Sequence, residues 1–234
     1  MRNWARSLLL IGVLATPAVA TPPQVIWVED TLFAIGDDSV MILRDIKDNQ
    51  GMHSVTQTDT FLLTLSLQDG SVVSVDPVQR AIDTDLGEPE WDKTTFPELG
   101  DAAVNPYHER AQVGLAPLSD PVRGRRFAMI HPSGILMSQG DEITHLLPLA
   151  DAQLQMERAL TQTRAVLPVL HSDAGAEDLF DPTGYTIGLG CSVNNVMTFW
   201  QADGASPALV NLFCELSEEA GSLDVWIVVP PVQT

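Results

Sequence analysis

Two cysteines, Cys191 and Cys214, are the only thiol-bearing residues of the chain. A thiol beside a base can act as a nucleophile, whereas two thiols in an oxidising compartment form a disulfide. No papain-type or caspase-type motif surrounds Cys191, and the cysteine count is even. We therefore predict a Cys191–Cys214 disulfide, and closing this 24-residue loop would stabilise the fold by roughly 3.4 kcal/mol in the chain-entropy model.

The stretch HERAQ, His108 to Gln112, comes close to the H-E-x-x-H motif of zinc proteases. Gln112 stands where the second histidine ligand would be, so a zinc site of this type lacks a required ligand. His108 and Glu109 remain as candidates for a general acid and base. The more economical interpretation is a solvated loop. A Ser-His-Asp triad on another fold stays open as an alternative, because such triads are recognised by geometry and not by spacing in the sequence.

Acidic residues cluster in two irregular stretches, where carboxylates could bind calcium. An EF-hand loop needs a glycine at its sixth position and a glutamate at its twelfth, and Glu88 and Thr94 occupy those positions. The pattern therefore indicates solvated turns, and no metal site is assigned. The acids concerned are Asp83, Asp85, Glu88, Glu90 and Asp92 in the first stretch and Asp173, Asp178 and Asp181 in the second.

Other ligand motifs are incomplete, so no cofactor is expected. GLGCSV begins like a dinucleotide fingerprint, but Val193 replaces its third glycine. No lysine stands in a phosphate-binding Gly-Lys-Ser/Thr context, and no serine is flanked by glycines as in a nucleophile elbow. Trp91, in a polar stretch, is the one aromatic side chain that we single out as a candidate contact for a partner or ligand.

The elements that position these residues begin with short runs rich in β-branched and aromatic residues between Val25 and Asp85. Gln68-Asp69-Gly70 is the clearest hairpin turn, because Asp-Gly tolerates the positive φ that tight hairpins require. The region is predicted to form an antiparallel sheet from the runs VIWV, LFAI, VMILRDI, HSVTQT, FLLTLSL and SVVSV.

The middle of the chain changes character over residues 87–126, which are rich in proline and lack helical or strand periodicity. A second hairpin is predicted over Phe127 to Ser138, and ITHLLPL is predicted as a strand. A helix follows with Asp151 as its cap, and Pro168 is expected to end it. Its buried stripe is predicted to contain Ala152, Met156, Leu160, Thr163 and Leu167.

The last block reads as two strands, a helix and a strand. YTIGLGC and VMTFWQA are predicted to pair around a turn at residues 192–195. Ser206 and Pro207 then form a helix start, and Gly221 ends that helix. Its apolar face would contain Leu209, Leu212, Phe213 and Leu216, and LDVWIVV follows as a buried strand.

These elements predict an α+β fold with a mostly antiparallel β N-terminal part and a C-terminal ββαβ block that contains the disulfide. The predicted segments are a signal peptide at 1–20, a β-rich part at 21–86, an irregular Pro-rich loop at 87–126 and an α+β part at 127–234. The length also allows one mature domain spanning 21–234.

The N-terminus predicts export. Arg2 and Arg6 precede an apolar run over residues 8–15, and Ala18-Val19-Ala20 matches a cleavage site. Eight apolar residues make about 12 Å of helix, which is too short to span a hydrocarbon core of about 30 Å. Cleavage near Ala20 would release a soluble periplasmic or secreted protein. Arginine outnumbers lysine, and no Asn-x-Ser/Thr site occurs, so a bacterial origin is favoured.

The charge of the chain limits its partners. There are 31 acidic and 12 basic residues, a net charge of −19, which becomes −21 when the two arginines of the leader are removed. Such a surface repels phosphate backbones and anionic lipid headgroups, so nucleic-acid binding is not expected. No stretch after the leader reaches the ~18 apolar residues that a transmembrane helix needs, so membrane insertion is not expected either. An envelope protein, or a neutral or cationic ligand, is the expected kind of partner.

Three functions follow as hypotheses. The first is an exported binding or protein-interaction module, which is favoured because no catalytic motif is complete; the balance is therefore against an enzyme. The second is a periplasmic hydrolase with dispersed residues such as His108 and Glu109. The third is a calcium-stabilised surface protein.

Overall fold

The computed structural model describes residues 24–49, 51, 55–84, 105, 109, 126–139, 141–170, 186–187, 190–198, 207–217 and 221–230. These residues form mostly β-sheet with one long helix, in agreement with the α+β class in its broad sense. In chain order the elements are β1 (Ile26–Ile35), β2 (Ser39–Asp48), β3 (Val55–Ser66), β4 (Val72–Thr84), β5 (Arg126–His131), β6 (Gly134–Gln139), β7 (Glu142–Leu147), α1 (Leu149–Leu170), β8 (Cys191–Thr198), β9 (Ala208–Ser217) and β10 (Gly221–Val229).

The strands form two sheets. The larger has seven strands in the order β4-β3-β2-β1-β10-β9-β8, and the smaller has the order β5-β6-β7. Neighbouring strands are antiparallel except β1 and β10, which pair in parallel from Ile26 opposite Gly221 to Glu29 opposite Asp224. The large sheet therefore unites strands from both ends of the described chain.

The predicted hairpin at Gln68-Asp69-Gly70 is confirmed. Gly70 adopts a φ of 69°, and its N–H donates to the Ser66 carbonyl at 3.0 Å. Asp69 Oδ1 accepts hydrogen bonds from the N–H and hydroxyl of Ser71 at 3.0 and 2.7 Å, which lowers the pKa of Asp69. The turn thus joins β3 to β4 with the positive φ that glycine permits.

The N-terminal runs form fewer and longer strands than predicted. VIWV and LFAI contribute to one strand, β1, because Asp30, one of the two charged residues between them, points inward and has a partner there. HSVTQT and FLLTLSL likewise contribute to one strand, β3, in which Asp59 is buried in an ion pair. Asp30 and Asp59 lie where the sequence predicts an interruption between two short strands, and both are inward-facing residues of one continuous strand.

The predicted central helix is confirmed, with wider bounds. α1 begins at Leu149, so Asp151 lies in its first turn and is not its cap. It continues to Leu170, beyond Pro168, where the sequence predicts its end. Among the described residues, no helix is long and apolar enough to cross a membrane. The predicted stripe is buried at Ala152, Met156, Leu160 and Thr163, while the Leu167 side chain lies outside the described set.

The predicted helix after Ser206 is wrong, because residues 208–217 form strand β9. Leu209, Val210 and Leu212 are each 0% exposed, so both faces of the strand are covered. A strand buried on both faces is a continuous apolar run, which periodicity alone cannot separate from a buried helix. Pro207, which read as a helix start, is equally compatible with the residue before a strand. The final block is therefore β8-β9-β10, not ββαβ.

The predicted turn at residues 192–195 is also wrong. One strand, β8, runs through these residues from Cys191 to Thr198 and pairs with β9. The ladder shifts register between Val193 and Asn195, so Asn194 is the additional residue of a bulge. The polar pair Asn194-Asn195 marks this bulge rather than a reversal of the chain.

The core lies between the sheets and α1. One buried cluster joins Val28 and Leu223 of the large sheet to Ile135 of the small sheet and Leu160 of α1. A second joins Val40 and Ile42 to Trp226 and Val228. The last five residues of β10, 225–229, are all buried, and this strand contributes to both clusters.

Candidate functional site

The two cysteines form the predicted disulfide. Cys191 and Cys214 are directly opposite each other in the β8–β9 ladder, with their Cα atoms 4.0 Å apart. Cys214 is 2% exposed and belongs to the main apolar cluster. Since both sulfurs are joined, neither is a thiolate nucleophile in this state, and the bond tethers the terminal strand β8 to β9.

The other predicted site residues are not brought together by the described structure. His108 and Trp91 lie outside the described residues. Glu109 is half-buried, and its N–H donates to the Asn105 carbonyl at 3.2 Å, as in a helical turn. The acid–base hypothesis for His108 and Glu109 and the contact role of Trp91 therefore stay predictions.

The calcium hypothesis is equally untested at its own residues. Asp83 is exposed near the end of β4, and the remaining acids of both acidic stretches lie outside the described residues. Within the described ranges, no group of three or more histidine, cysteine, aspartate or glutamate side chains is arranged to hold a metal ion.

A histidine–serine contact lies in the β5–β6 turn. His131 Nδ1 is 2.8 Å from Ser133 Oγ, the distance expected of a base and a nucleophile. The same Nδ1 accepts the Ser133 N–H at 3.2 Å, and both side chains are exposed. Both contacts join residues two positions apart, so they close the β5–β6 turn.

Among the described residues, the most deeply buried charged side chains are Asp30 of β1 and Arg44 of β2, which face each other in the ladder. Arg44 Nε donates to Asp30 Oδ1 at 2.7 Å, and Nη2 donates to Oδ2 at 2.8 Å. The two side chains are 0% and 1% exposed. A bidentate pair of this kind neutralises both charges, so neither group is free for acid–base chemistry.

This ion pair also joins distant elements. Arg44 Nη1 donates to Thr163 Oγ1 of α1 at 3.3 Å, and Asp30 Oδ2 accepts the backbone N–H of Trp226 at 3.1 Å. The network therefore ties β1 and β2 to the helix and to β10. Trp226 lies beyond the part of β10 that pairs with β1, so its N–H is bonded by the Asp30 carboxylate instead of by a backbone carbonyl of β1.

A second ion pair crosses β3 and β4. Arg80 Nε donates to Asp59 Oδ1 at 2.7 Å and Nη2 to Oδ2 at 3.2 Å, while Gln57 Nε2 donates to Oδ2 at 3.0 Å. The Asp59 and Arg80 side chains are 4% and 12% exposed. As with Asp30, the buried carboxylate of Asp59 is paired with a guanidinium, and this pair connects β3 to β4.

Three carboxylates form a row on the face of the sheet that is opposite to Asp30 and Arg44. Asp224 of β10 faces Glu29 of β1, and Glu29 faces Asp45 of β2, so all three side chains project from one face. Glu29 is exposed, and the two aspartates are half-buried. We call Asp224, Glu29 and Asp45 the acidic row.

The electrostatics of the acidic row reflect burial and like charge. Desolvation raises the pKa of Asp45, against a hydrogen bond from Thr60 Oγ1 at 2.6 Å that lowers it. Desolvation also raises the pKa of Asp224, against a hydrogen bond from Asn211, and the charge of Glu29 adds to the increase at both aspartates. One cation, Lys47, pairs with Glu29. The described row therefore carries more negative than positive charge.

The sequence contains a signal for the buried pair of Asp30 and Arg44 but none for the acidic row. Arg44 falls on the inward alternation Val40, Ile42, Arg44, Ile46, and an arginine there requires a buried acid. The row depends on which strands are neighbours, and nothing local in the sequence places β10 beside β1. No protein family model, curated protein or solved structure matches this chain.

Proposed function

We propose that this chain is an exported binding module that recognises a basic protein or another cationic partner through the acidic face of its large sheet. Export is inferred from the leader-like residues 1–20 and is supported by the cross-strand disulfide, a bond that persists in oxidising compartments. The net charge of −19 favours association with cationic partners and speeds their approach.

The acidic row is the observation that carries this proposal. Asp224, Glu29 and Asp45 are in register on three neighbouring strands, which fixes their separation and presents them on one surface. The raised pKa values of Asp45 and Asp224 mean that their ionised carboxylates are unfavourable in this environment. A second positive group beside Lys47 would stabilise the ionised carboxylates, so binding of a cation there is favoured.

Binding is favoured over catalysis by how the buried polar groups are used. The Asp30, Asp59 and Gln155 side chains all bond to other groups inside the fold, either an arginine or the main chain. Catalytic groups require a free lone pair or proton aimed at a substrate. In the described residues, the deeply buried polar side chains are used to hold strands and helix together.

The test compares two variants that each remove two charges. Glu29→Gln with Asp45→Asn disrupts the row, and Asp37→Asn with Asp38→Asn removes two exposed charges from the β1–β2 turn. Binding of a fluorescein-labelled oligolysine peptide is measured by anisotropy at low and physiological ionic strength. We expect the row variant to bind about tenfold more weakly, since two ion pairs at a surface are worth about 1.4 kcal/mol together.

The turn variant is the matched control and should lose much less affinity. Equal losses in the two variants would show a diffuse charge effect and would contradict a site at the row. Turnover of ester, peptide or glycoside substrates that disappears in a His108→Ala, Glu109→Ala variant would instead support the hydrolase hypothesis.

A further inference from the structure

The terminal strands of the two sheets differ in how their outer edges are protected. A terminal strand presents backbone N–H and C=O groups that can pair with another chain, and proteins usually block such edges with bulges, prolines, charges or covering elements. The described sheets end in four strands, β4 and β8 in the large sheet and β5 and β7 in the small one.

The edge at β4 carries several of these protective features. The β3–β4 ladder shifts register twice, which leaves Val73 and Val78 as additional residues in bulges. Pro77 lies within the strand and has no N–H to donate. Arg80 adds a charged side chain held by Asp59. Together these features make β4 a poor template for another strand.

The edges at β5 and β8 are close to each other. The two strands pack together, so the small sheet sits beside the end of the large sheet. An incoming strand would have to separate them. Among the four described edges, this leaves β7.

β7 is exposed on both of its faces. Ile143, Thr144 and His145 are consecutive exposed residues, and Ile143 is 65% exposed. Met129, 47% exposed on β5, lies in the same cross-strand row as His145, with Leu136 between them. β7 therefore combines an open edge with one strongly exposed apolar side chain, Ile143.

The register identifies which backbone groups point outward. Gln139 faces Glu142 across a two-residue turn, which is the arrangement of a hydrogen-bonded pair. Pairs alternate along an antiparallel ladder, so Thr144 is bonded to Met137, while Ile143 and His145 direct their N–H and C=O groups away from β6. The outer edge of β7 thus offers two donors and two acceptors at strand spacing.

We propose that β7 binds a partner by strand addition, and that the added segment is extended, carries alternating apolar residues and is basic. The apolar requirement comes from Ile143, whose side chain is 65% exposed on the strand that would lie beside the new one. The basic requirement comes from the exposed Asp141 immediately before β7, from the lack of lysine and arginine in the strand, and from the net charge of −19. This inference rests on the proposed binding function and names a second contact for the same class of partner.

Amide exchange measured by NMR tests the free edge without any partner. We expect the Ile143 and His145 amides to exchange much faster than the Thr144 amide, because the last is bonded within the sheet. Adding a peptide of alternating lysine and valine should protect the first two amides. Equal protection of all three in the free protein would mean that the edge is already covered, and this would overturn the proposal.

Binding of the lysine–valine peptide is then measured by anisotropy with Ile143→Pro and Ile143→Thr. The proline removes an outward N–H without breaking the ladder to β6, and it should weaken binding at least tenfold. The threonine keeps the N–H and the β-branch, so it should retain more affinity than the proline. An unchanged circular dichroism spectrum and melting temperature would establish that Ile143→Pro is folded.

A second peptide distinguishes strand addition at β7 from binding at the acidic row. The same lysine–valine sequence, N-methylated on alternate residues, keeps its charge but cannot form a strand ladder. Weak binding of the methylated peptide, with a loss in Ile143→Pro, supports strand addition. Equal binding of both peptides, with a loss in the Glu29→Gln, Asp45→Asn variant, overturns strand addition and leaves the acidic-row proposal standing. Loss in neither variant contradicts both.

Discussion

Gln155 of α1 binds the backbone of Val228 in β10 through both ends of its amide. Nε2 donates to the Val228 carbonyl at 2.8 Å, and Oε1 accepts the Val228 N–H at 3.0 Å. β10 pairs with β1 only up to Asp224. The Gln155 side chain therefore supplies the hydrogen-bond partners of the Val228 N–H and carbonyl, which lie beyond the end of that ladder. The contact is close to Gly70, where an added Cβ would overlap the Gln155 side chain.

Replacing Gln155 with leucine should destabilise the fold by about 2–4 kcal/mol, because a buried N–H and a buried carbonyl of Val228 lose their partner. Urea denaturation followed by circular dichroism gives the free energy of unfolding. Leu154→Gln, at an exposed neighbouring position of the same helix, is the control and should change stability by less than about 0.5 kcal/mol. A Gln155→Leu variant as stable as its control would show that water replaces the amide.

Replacing Arg44 with methionine should cost about 3–5 kcal/mol, because the Asp30 carboxylate stays buried without its guanidinium. Adding Asp30→Asn should recover part of this loss, since the neutral amide oxygen can still accept the Trp226 N–H. The same urea titration measures both variants. If the double variant were less stable than Arg44→Met alone, the cost would come from lost packing instead of an unpaired charge.

Replacing Asp45 with asparagine should stabilise the protein at neutral pH by less than about 1 kcal/mol, a small value because the group is partly solvated. Burial raises the pKa of Asp45 above its usual 3.8, so the folded state binds this proton more tightly than the unfolded state. The stability from this group is present below the unfolded pKa and is lost as pH rises through the higher folded value.

The gain in Asp45→Asn over the native chain should therefore grow between about pH 3 and pH 7. Free energies of unfolding across this range provide the measurement. Asp37→Asn, at an exposed turn residue, serves as the control. A gain that is largest at pH 3 would contradict a raised pKa.

Replacing both cysteines with alanine should lower the free energy of unfolding by roughly 3 kcal/mol, the loop-closure value less any relaxation of the native state. Differential scanning calorimetry of the native and Cys191→Ala, Cys214→Ala chains gives the change. Thiol titration of the denatured, unreduced native chain should find no free sulfhydryl groups. Two thiols per molecule in exported material would contradict the disulfide in that compartment.

The sequence predicts elements well where one face of a strand or helix is solvated. The stripe Ala152, Met156, Leu160 and Thr163 and the turn at Gly70 are both local patterns, and both were found as predicted. β9 was mistaken for a helix because Val210 and Leu209 are buried on opposite faces of the sheet, which removes the alternation on which strand prediction relies.

The features that depend on distant pairing could not be predicted. The acidic row requires β10 beside β1, and the role of Gln155 requires β10 to leave β1 after Asp224. A polar residue next to an apolar helical stripe gives no indication of whether it faces water or an unpaired strand. The predictions for Trp91 and His108 fall outside the described residues and stay predictions.

The pairing of β1 with β10 has a consequence for the timing of folding. Asp30 and Trp226 are 196 positions apart, yet their hydrogen bond lies at the centre of the large sheet. Contacts between remote parts of a chain form slowly, because the intervening loop must close first. The middle of this sheet cannot be completed until the final strand has been synthesised.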